Sequence, residues 1–197
     1  MKQFIISIDR EYGSGGHDIA YMLAEKYGVK VYDSNIIEYA SKEKNINLDN
    51  LKAYDEKARN LFFSRSVDGH SNSPEDTIAN IQFAFLKDKA EAGDSFVVLG
   101  RCANSVLKEY DCLTSIFITG NMPQKIARIA EIHNVSNAKA ENMIIKNNKK
   151  RKAYHNHYCK EKWGDSRYYE LTVNTSKIGI AKACAVIEKY LEERLGN

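Results

Sequence analysis

The chain has 197 residues, of which 43% are hydrophobic and 28% charged, which fits one globular domain and excludes wholesale disorder. Its formal net charge of +3 gives no electrostatic ground for a nucleic-acid partner. The four cysteines, Cys102, Cys112, Cys159 and Cys184, form no CxxC pair, so neither zinc-site spacing nor a disulfide scaffold is expected, and a reduced, cytoplasmic setting fits best.

The first element is an apolar run at 3–9 ending in an acid, "QFIISID", expected as a buried strand; it is too short for a signal peptide or a membrane span. Three glycines follow, then a helical face carrying Ile19, Leu23 and Tyr27. "VKVYD" (29–33) reads as the second strand, and Ser34 as the cap of a helix with Ile36, Ile37 and Ala40 on one side. A helix is expected over 48–66, and the polar stretch 66–77, with Gly69 and Pro74, is expected as a mobile loop. A helix over 77–91 leads to "SFVVLG" (95–100), the third strand, and "LTSIFITG" (113–120) is the fourth. Another helix opens near Pro123, and a long helical stretch starts at Ser136 and runs into "KNNKKRKAYHNHYCKEKW". "YELTVNT" (169–175) is the fifth strand, and the last helix sets Ile180, Cys184, Ile187 and Leu191 at helical spacing.

Five short apolar strands alternating with helices predict an α/β fold, a five-stranded parallel sheet with helices on both faces. Such sheets bind ligands outside the carboxyl ends of their strands. That rule gathers Asp9 through Gly16, Asp33, Gly100 and Arg101, Gly120 and Asn121, and Asn174 and Thr175 on one rim.

The stretch "DREYGSGGHDIA" has the form of a phosphate-binding loop, in which backbone N–H groups and a helix N-terminus converge on an anion. The usual pattern is GxxxxGK(S/T). Aligned on Gly15, the first glycine position holds Arg10, the lysine position holds Gly16, and His17 and Asp18 follow. The motif fails formally, and a plain strand-to-helix turn is the alternative.

The chain as a whole resembles the cytidylate kinase-like branch of the P-loop nucleoside monophosphate kinases. "ISIDREYGSGGHDIAYMLAEKYGVKVYDSNII" is similar to the family's opening strand, "REYGSGG" loop, helix and "YYD". "VVLGRCANSVL" is similar to its "GR" strand, and "SIFITGNMPQKIARI" to its fourth strand and the helix leading into a lid. "RKAYHNHYCKEKWGDSRYYELTVNTSKIGI" is similar to the lid and the final strand-helix unit. The likeness is weakest at about 45–90. Where the family commonly has arginine after "GSGG", this chain has His17.

The resemblance implies a phosphotransferase using ATP and Mg2+, with a nucleoside monophosphate such as CMP, or another small molecule, as acceptor. It implies one domain with a core at 1–33, 93–135 and 166–197, an acceptor-binding insertion at 34–92 and a lid at 136–165. It assigns the donor phosphates to Tyr12, Gly13, Ser14, Gly15, Gly16, His17 and Asp18, and the adenine to Asn174 and Thr175, largely through backbone; Arg10, or an arginine from the lid, would supply there the positive charge that the loop lacks. Arg101 would hold the acceptor phosphate; a surface ion pair is the plain alternative. Arg151 and then Arg128 are the expected arginines closing over the transferring group. Asp33 would contact the acceptor or a magnesium-bound water, or only cap the next helix, and Asp9 would touch the metal indirectly. Arg59, Arg65 and Gln82 are candidates for base selectivity.

The basic run from Lys146 to Lys162 is equally readable as a solvated helix face. Its Tyr154, His155, His157 and Tyr158 also permit nucleic-acid stacking, ranked last because that ignores the rim residues. His155 and His157 lie on different helix faces and are not expected to share a metal; Trp163 is expected to anchor the lid's return to the core. A rival reading is a nucleotide-binding protein with a degenerate loop and little catalysis, acting through partners. A homo-oligomer stays open.

Overall fold

The structure is a computed structural model describing residues 2–44 and 74–196. Its centre is β1 (Ile5–Arg10), a run of buried residues. β2 (Lys30–Tyr32), β3 (Phe96–Leu99), β4 (Leu113–Thr119) and β5 (Leu171–Asn174) complete a parallel five-stranded sheet ordered β2-β3-β1-β4-β5. β1 lies between β3 and β4, with Ile8 opposite Leu99 on one side and Ile116 on the other.

Alternation along β1 divides the core. Ile6 and Ile8 face α1 (Gly16–Tyr27) and α7 (Gly179–Leu195), joining Ile19, Leu23, Ile187 and Leu191. Ile5 faces the other way, towards α2 (Ile36–Lys44), α3 (Pro74–Glu91) and the short α4 (Ala103–Val106), joining Ile36, Phe85 and Leu107. Each fully buried isoleucine contributes roughly 1.5–3 kcal/mol of transfer free energy. A third cluster of Ile129, Ala140 and Ile144 ties α5 (Met122–His133) to α6 (Asn137–Tyr158) beside the sheet.

Local signals explain the helix ends. Gly28 closes α1 in a left-handed cap whose N–H reaches the carbonyls of Ala24 and Glu25. Pro123 stands in the first turn of α5, and the Ser136 side chain accepts from Lys139 N–H at the start of α6. α2 begins one residue later than the Ser34 cap predicts, because the carbonyl of Asn35 accepts from Glu38 and Tyr39. The predicted loop over 66–77 is corrected at its end: Pro74 opens α3, since a proline suits a first helical turn and Glu75 and Asp76 complement it. The rest of that loop and the helix predicted over 48–66, with Arg59 and Arg65, lie outside the described residues.

Among the described residues no helix is long and apolar enough to cross a membrane.

Candidate functional site

The carboxyl ends of β1, β2, β3 and β4 meet at the glycine loop. Ser14 is turned inward, its N–H and hydroxyl both donating to the Glu11 carbonyl at 3.3 and 2.9 Å. Gly15 caps α1 at φ 81, and a side chain there would meet Ile180 Cδ1 at 2.5 Å. The loop is thus pinned from below by α7. The Thr175 hydroxyl holds the same loop by donating to Ser14 O at 2.8 Å. Asn174 donates to Asn121 Oδ1 across the gap between β5 and the start of α5.

Glu11 gives the loop its anchor. One carboxylate oxygen accepts from Thr119 Oγ1 at 2.8 Å, Gly120 N–H at 3.1 Å and Lys125 Nζ at 2.8 Å. Burial alone would raise the Glu11 carboxyl, but the bonds from Lys125, Thr119 and Gly120 outweigh it and hold the group below its usual value. Sequence reasoning missed this pair. Lys125 stands one helical turn before Ile129 on the buried stripe of α5, and no sequence signal pairs it with Glu11.

Arg10 and Arg151 stand above the loop. Arg151 donates to the Arg10 carbonyl at 2.9 Å, and its guanidinium lies 5.5 Å from the Tyr12 ring centre. Tyr12 is fixed further by Asn148 Oδ1, which accepts its N–H at 2.7 Å, and by His133 at 2.8 Å from its hydroxyl. Arg10 Nη2 is 3.5 Å from Asp33 Oδ1, long for a charge-assisted bond. Burial lowers the pKa of Arg10 despite Asp33 and Asp9, and burial with the like charge of Arg10 lowers Arg151 to about 10. Arg101 adds a third guanidinium whose charge Arg10 feels. Three guanidiniums therefore share this rim with two carboxylates, Asp9 and Asp33.

Arg101 and Cys102 have φ of 59 and 56, and two consecutive left-handed non-glycine residues cost about 1–2 kcal/mol each. Such an outlier points to function. Arg101 Nη1 donates to Gln82 Oε1 at 3.4 Å, which brings α3 to the site through a wholly buried glutamine.

Asp9 is buried behind the loop, where its carboxylate accepts from the Tyr169 hydroxyl at 2.9 Å and lies 3.7 Å from His155 Nε2. A hydrogen bond with Cys102 holds the Cys159 thiol below its ordinary value and pushes Cys102 up. His155 is buried and His157 exposed, so the two occupy different faces. Trp163 meets Phe117 of β4 edge-on at 5.2 Å, returning the chain after α6 to the sheet.

Two expected site residues are engaged with each other. Arg128 is ion-paired to Asp18 in the first turn of α1. His17 is turned outward, its side chain 62% exposed and its ring tilted against Tyr21 at 4.6 Å. Among the described residues no three His, Cys, Asp or Glu side chains converge to hold an ion by themselves. Asp33 nevertheless presents hard oxygen at the rim, the donor that magnesium takes alongside phosphate oxygens.

A family model described as the cytidylate kinase-like family matches residues 5–177. An uncharacterised protein from Eubacterium ventriosum is 36% identical in sequence, with a TM-score of 0.74 over 96% of this chain and 99% of that one. Shikimate kinase from Bacteroides thetaiotaomicron is similar in fold, at 13% identity and a TM-score of 0.53 over 96% and 98% of the two chains. Shikimate kinase from Acinetobacter baumannii in complex with shikimate gives 14% and 0.51 over 99% and 94%. No curated protein matches the chain.

Proposed function

Because this chain belongs to the cytidylate kinase-like family, we propose that it is a phosphotransferase moving the γ-phosphoryl group of ATP to a nucleoside monophosphate, CMP foremost, or to another small acceptor. One observation carries the reading: Arg10, Arg101 and Arg151 crowd the strand ends beside a glycine loop that opens a helix. Mutually repelling guanidiniums are stabilised by a polyanion between them, and phosphoryl transfer asks a protein chiefly for positioning and charge stabilisation.

In this reading the backbone from Tyr12 to Asp18 receives the donor phosphates at the positive end of α1. Arg101, held towards α3 by Gln82, takes the acceptor phosphate. Arg151, and Arg128 once it leaves Asp18, close over the transferring group from the lid side, 136–165. Segment 34–92 serves the acceptor, and Asn174 and Thr175 border the adenine. Magnesium, with Asp33 contacting one of its waters or the acceptor and Asp9 acting indirectly, would supply charge neutralisation on the phosphates. The four free cysteines favour a reducing, cytoplasmic setting.

A second reading, a nucleotide-binding protein without turnover, is favoured by one specific feature: Gly16, His17 and Asp18 stand where a lysine and a hydroxyl are usual. Purified protein incubated with ATP, magnesium and a panel of monophosphates separates the two. The phosphotransferase reading expects ADP release that depends on the acceptor. ATP binding without turnover on any acceptor would leave the binding protein in front.

A further inference from the structure

Resting on the phosphotransferase reading, we infer that Arg10 stands in for the missing loop lysine, through an exchange of glycine and cation between positions 10 and 16. The two departures from GxxxxGK(S/T) look independent in sequence, an arginine for the first glycine and a glycine for the lysine. In the structure they are one arrangement. A β-carbon on Gly16 would lie 2.5 Å from Arg10 Cβ and 2.9 Å from Arg10 Cγ, so the arginine stem fills the space that a side chain at 16 would leave by. A lysine at 16 and an arginine at 10 exclude each other.

The arginine head then crosses the rim. Its Nη1 occupies the space beside Gly100, 2.6 Å from where a β-carbon would be, and that residue's φ of 68 itself favours glycine. The guanidinium thus ends at the junction of β1, β2 and β3, between the donor loop and Arg101. It is also the underpaired cation of the loop. Its buried Nε–H has no acceptor among the described residues, and its contact with Asp33 is long at 3.5 Å. An arginine has five donors, so most of its capacity is left for a ligand.

The neighbouring cations are committed elsewhere. Lys125 is paired with Glu11 at 2.8 Å and Arg128 with Asp18, Arg151 gives one donor to the Arg10 carbonyl from the lid side, and His17 faces outward. A planar fork aimed across the rim suits two oxygens of adjacent phosphates, where a lysine would give one point charge.

The test is MgATP and AMP binding by calorimetry to the wild type, Arg10→Ala, Arg10→Gly, Gly16→Lys and the double variant Arg10→Gly/Gly16→Lys, with thermal melts alongside. The wild type is expected to prefer MgATP over AMP. Arg10→Ala should weaken MgATP at least tenfold and AMP far less, a selective loss that damage to the fold would not produce. The double variant should bind MgATP several-fold more tightly than Arg10→Gly, and Gly16→Lys alone should bind worse than wild type. Should Arg10→Ala fail to fold, Arg10→Gln, which keeps the stem and neutral donors, carries the same expectation. The inference is overturned if either variant keeps the MgATP preference, or if the double variant binds no better than Arg10→Gly. A wild type that binds no MgATP overturns the phosphotransferase reading as well.

Discussion

Arg128 on α5 is bound to Asp18 in the first turn of α1, across 110 residues of sequence. The pair stands beside the glycine loop, so an arginine expected to serve the transferring phosphoryl group is held by a carboxylate one turn into the helix. Asp18 benefits from the positive helix end, and an incoming phosphate would compete for that same end. Asp18→Asn is therefore expected to tighten MgATP binding about three- to tenfold, which is up to ~1.4 kcal/mol. Its effect on folding should stay within about 1 kcal/mol, as for other exposed ion pairs. Calorimetry with MgATP and urea melts read the two effects separately, and unchanged affinity would show that the pair does not compete with nucleotide.

Arg101 carries the acceptor side of the proposal. Its left-handed backbone and its bond to buried Gln82 bring the guanidinium towards α3. Arg101→Ala should raise the acceptor KM at least tenfold, about 1.4 kcal/mol or more, while changing MgATP affinity less than twofold. Steady-state kinetics with the acceptor varied at saturating ATP checks this. Unaltered acceptor kinetics would move the acceptor phosphate away from the end of β3.

The parallel sheet was legible because each strand is a short apolar run ended by a polar or glycine residue, and β1 with "FIISIDR" is the clearest case. The strand-end rule likewise picked out Arg10, Asp33 and Arg101 before any contact was known. Pairings across the chain were not legible. Nothing in sequence joins Glu11 to Lys125 or Arg128 to Asp18, because each pair is made by side chains of α5 reaching the glycine loop and the first turn of α1, and not by local periodicity. The outward turn of His17 was hidden for a similar reason: helix phase and the ring contact with Tyr21 accompany it.

The Glu11–Lys125 pair predicts an acid-sensitive loop. Glu11 is held below its ordinary value of 4.5 in the folded state, so its contribution is fully present above pH 4.5. It is lost as the pH falls through the lower folded value. Stability of the wild type should drop between about pH 5 and 3 more steeply than that of Glu11→Gln, read by urea titrations at several pH values. Lys125→Met strands the Glu11 charge and should cost about 3 kcal/mol. The double variant Glu11→Leu/Lys125→Met should recover part of that loss, and strict additivity would mean that the two groups do not act as a pair.

His17 separates a role for the loop backbone from a role for the side chain. The residue lies in the first turn of α1, so its N–H belongs to the positive end of the helix. The imidazole, however, is exposed and lies tilted against Tyr21, with Nδ1 3.8 Å from Asp18 Oδ1. His17→Ala should accordingly change MgATP affinity less than twofold and stability by no more than about 0.5 kcal/mol. His17→Arg restores the family's common cation and is expected to retain or raise MgATP affinity. The geometry supplies a route: an arginine beside Asp18 offers that carboxylate a second partner and frees Arg128. On that account the gain from His17→Arg should vanish in an Asp18→Asn background, where no carboxylate remains to be shared. Calorimetry on the two single variants and the double variant decides it. A clear loss of affinity in a folded His17→Arg protein would mean that this corner of the loop does not face the donor phosphates.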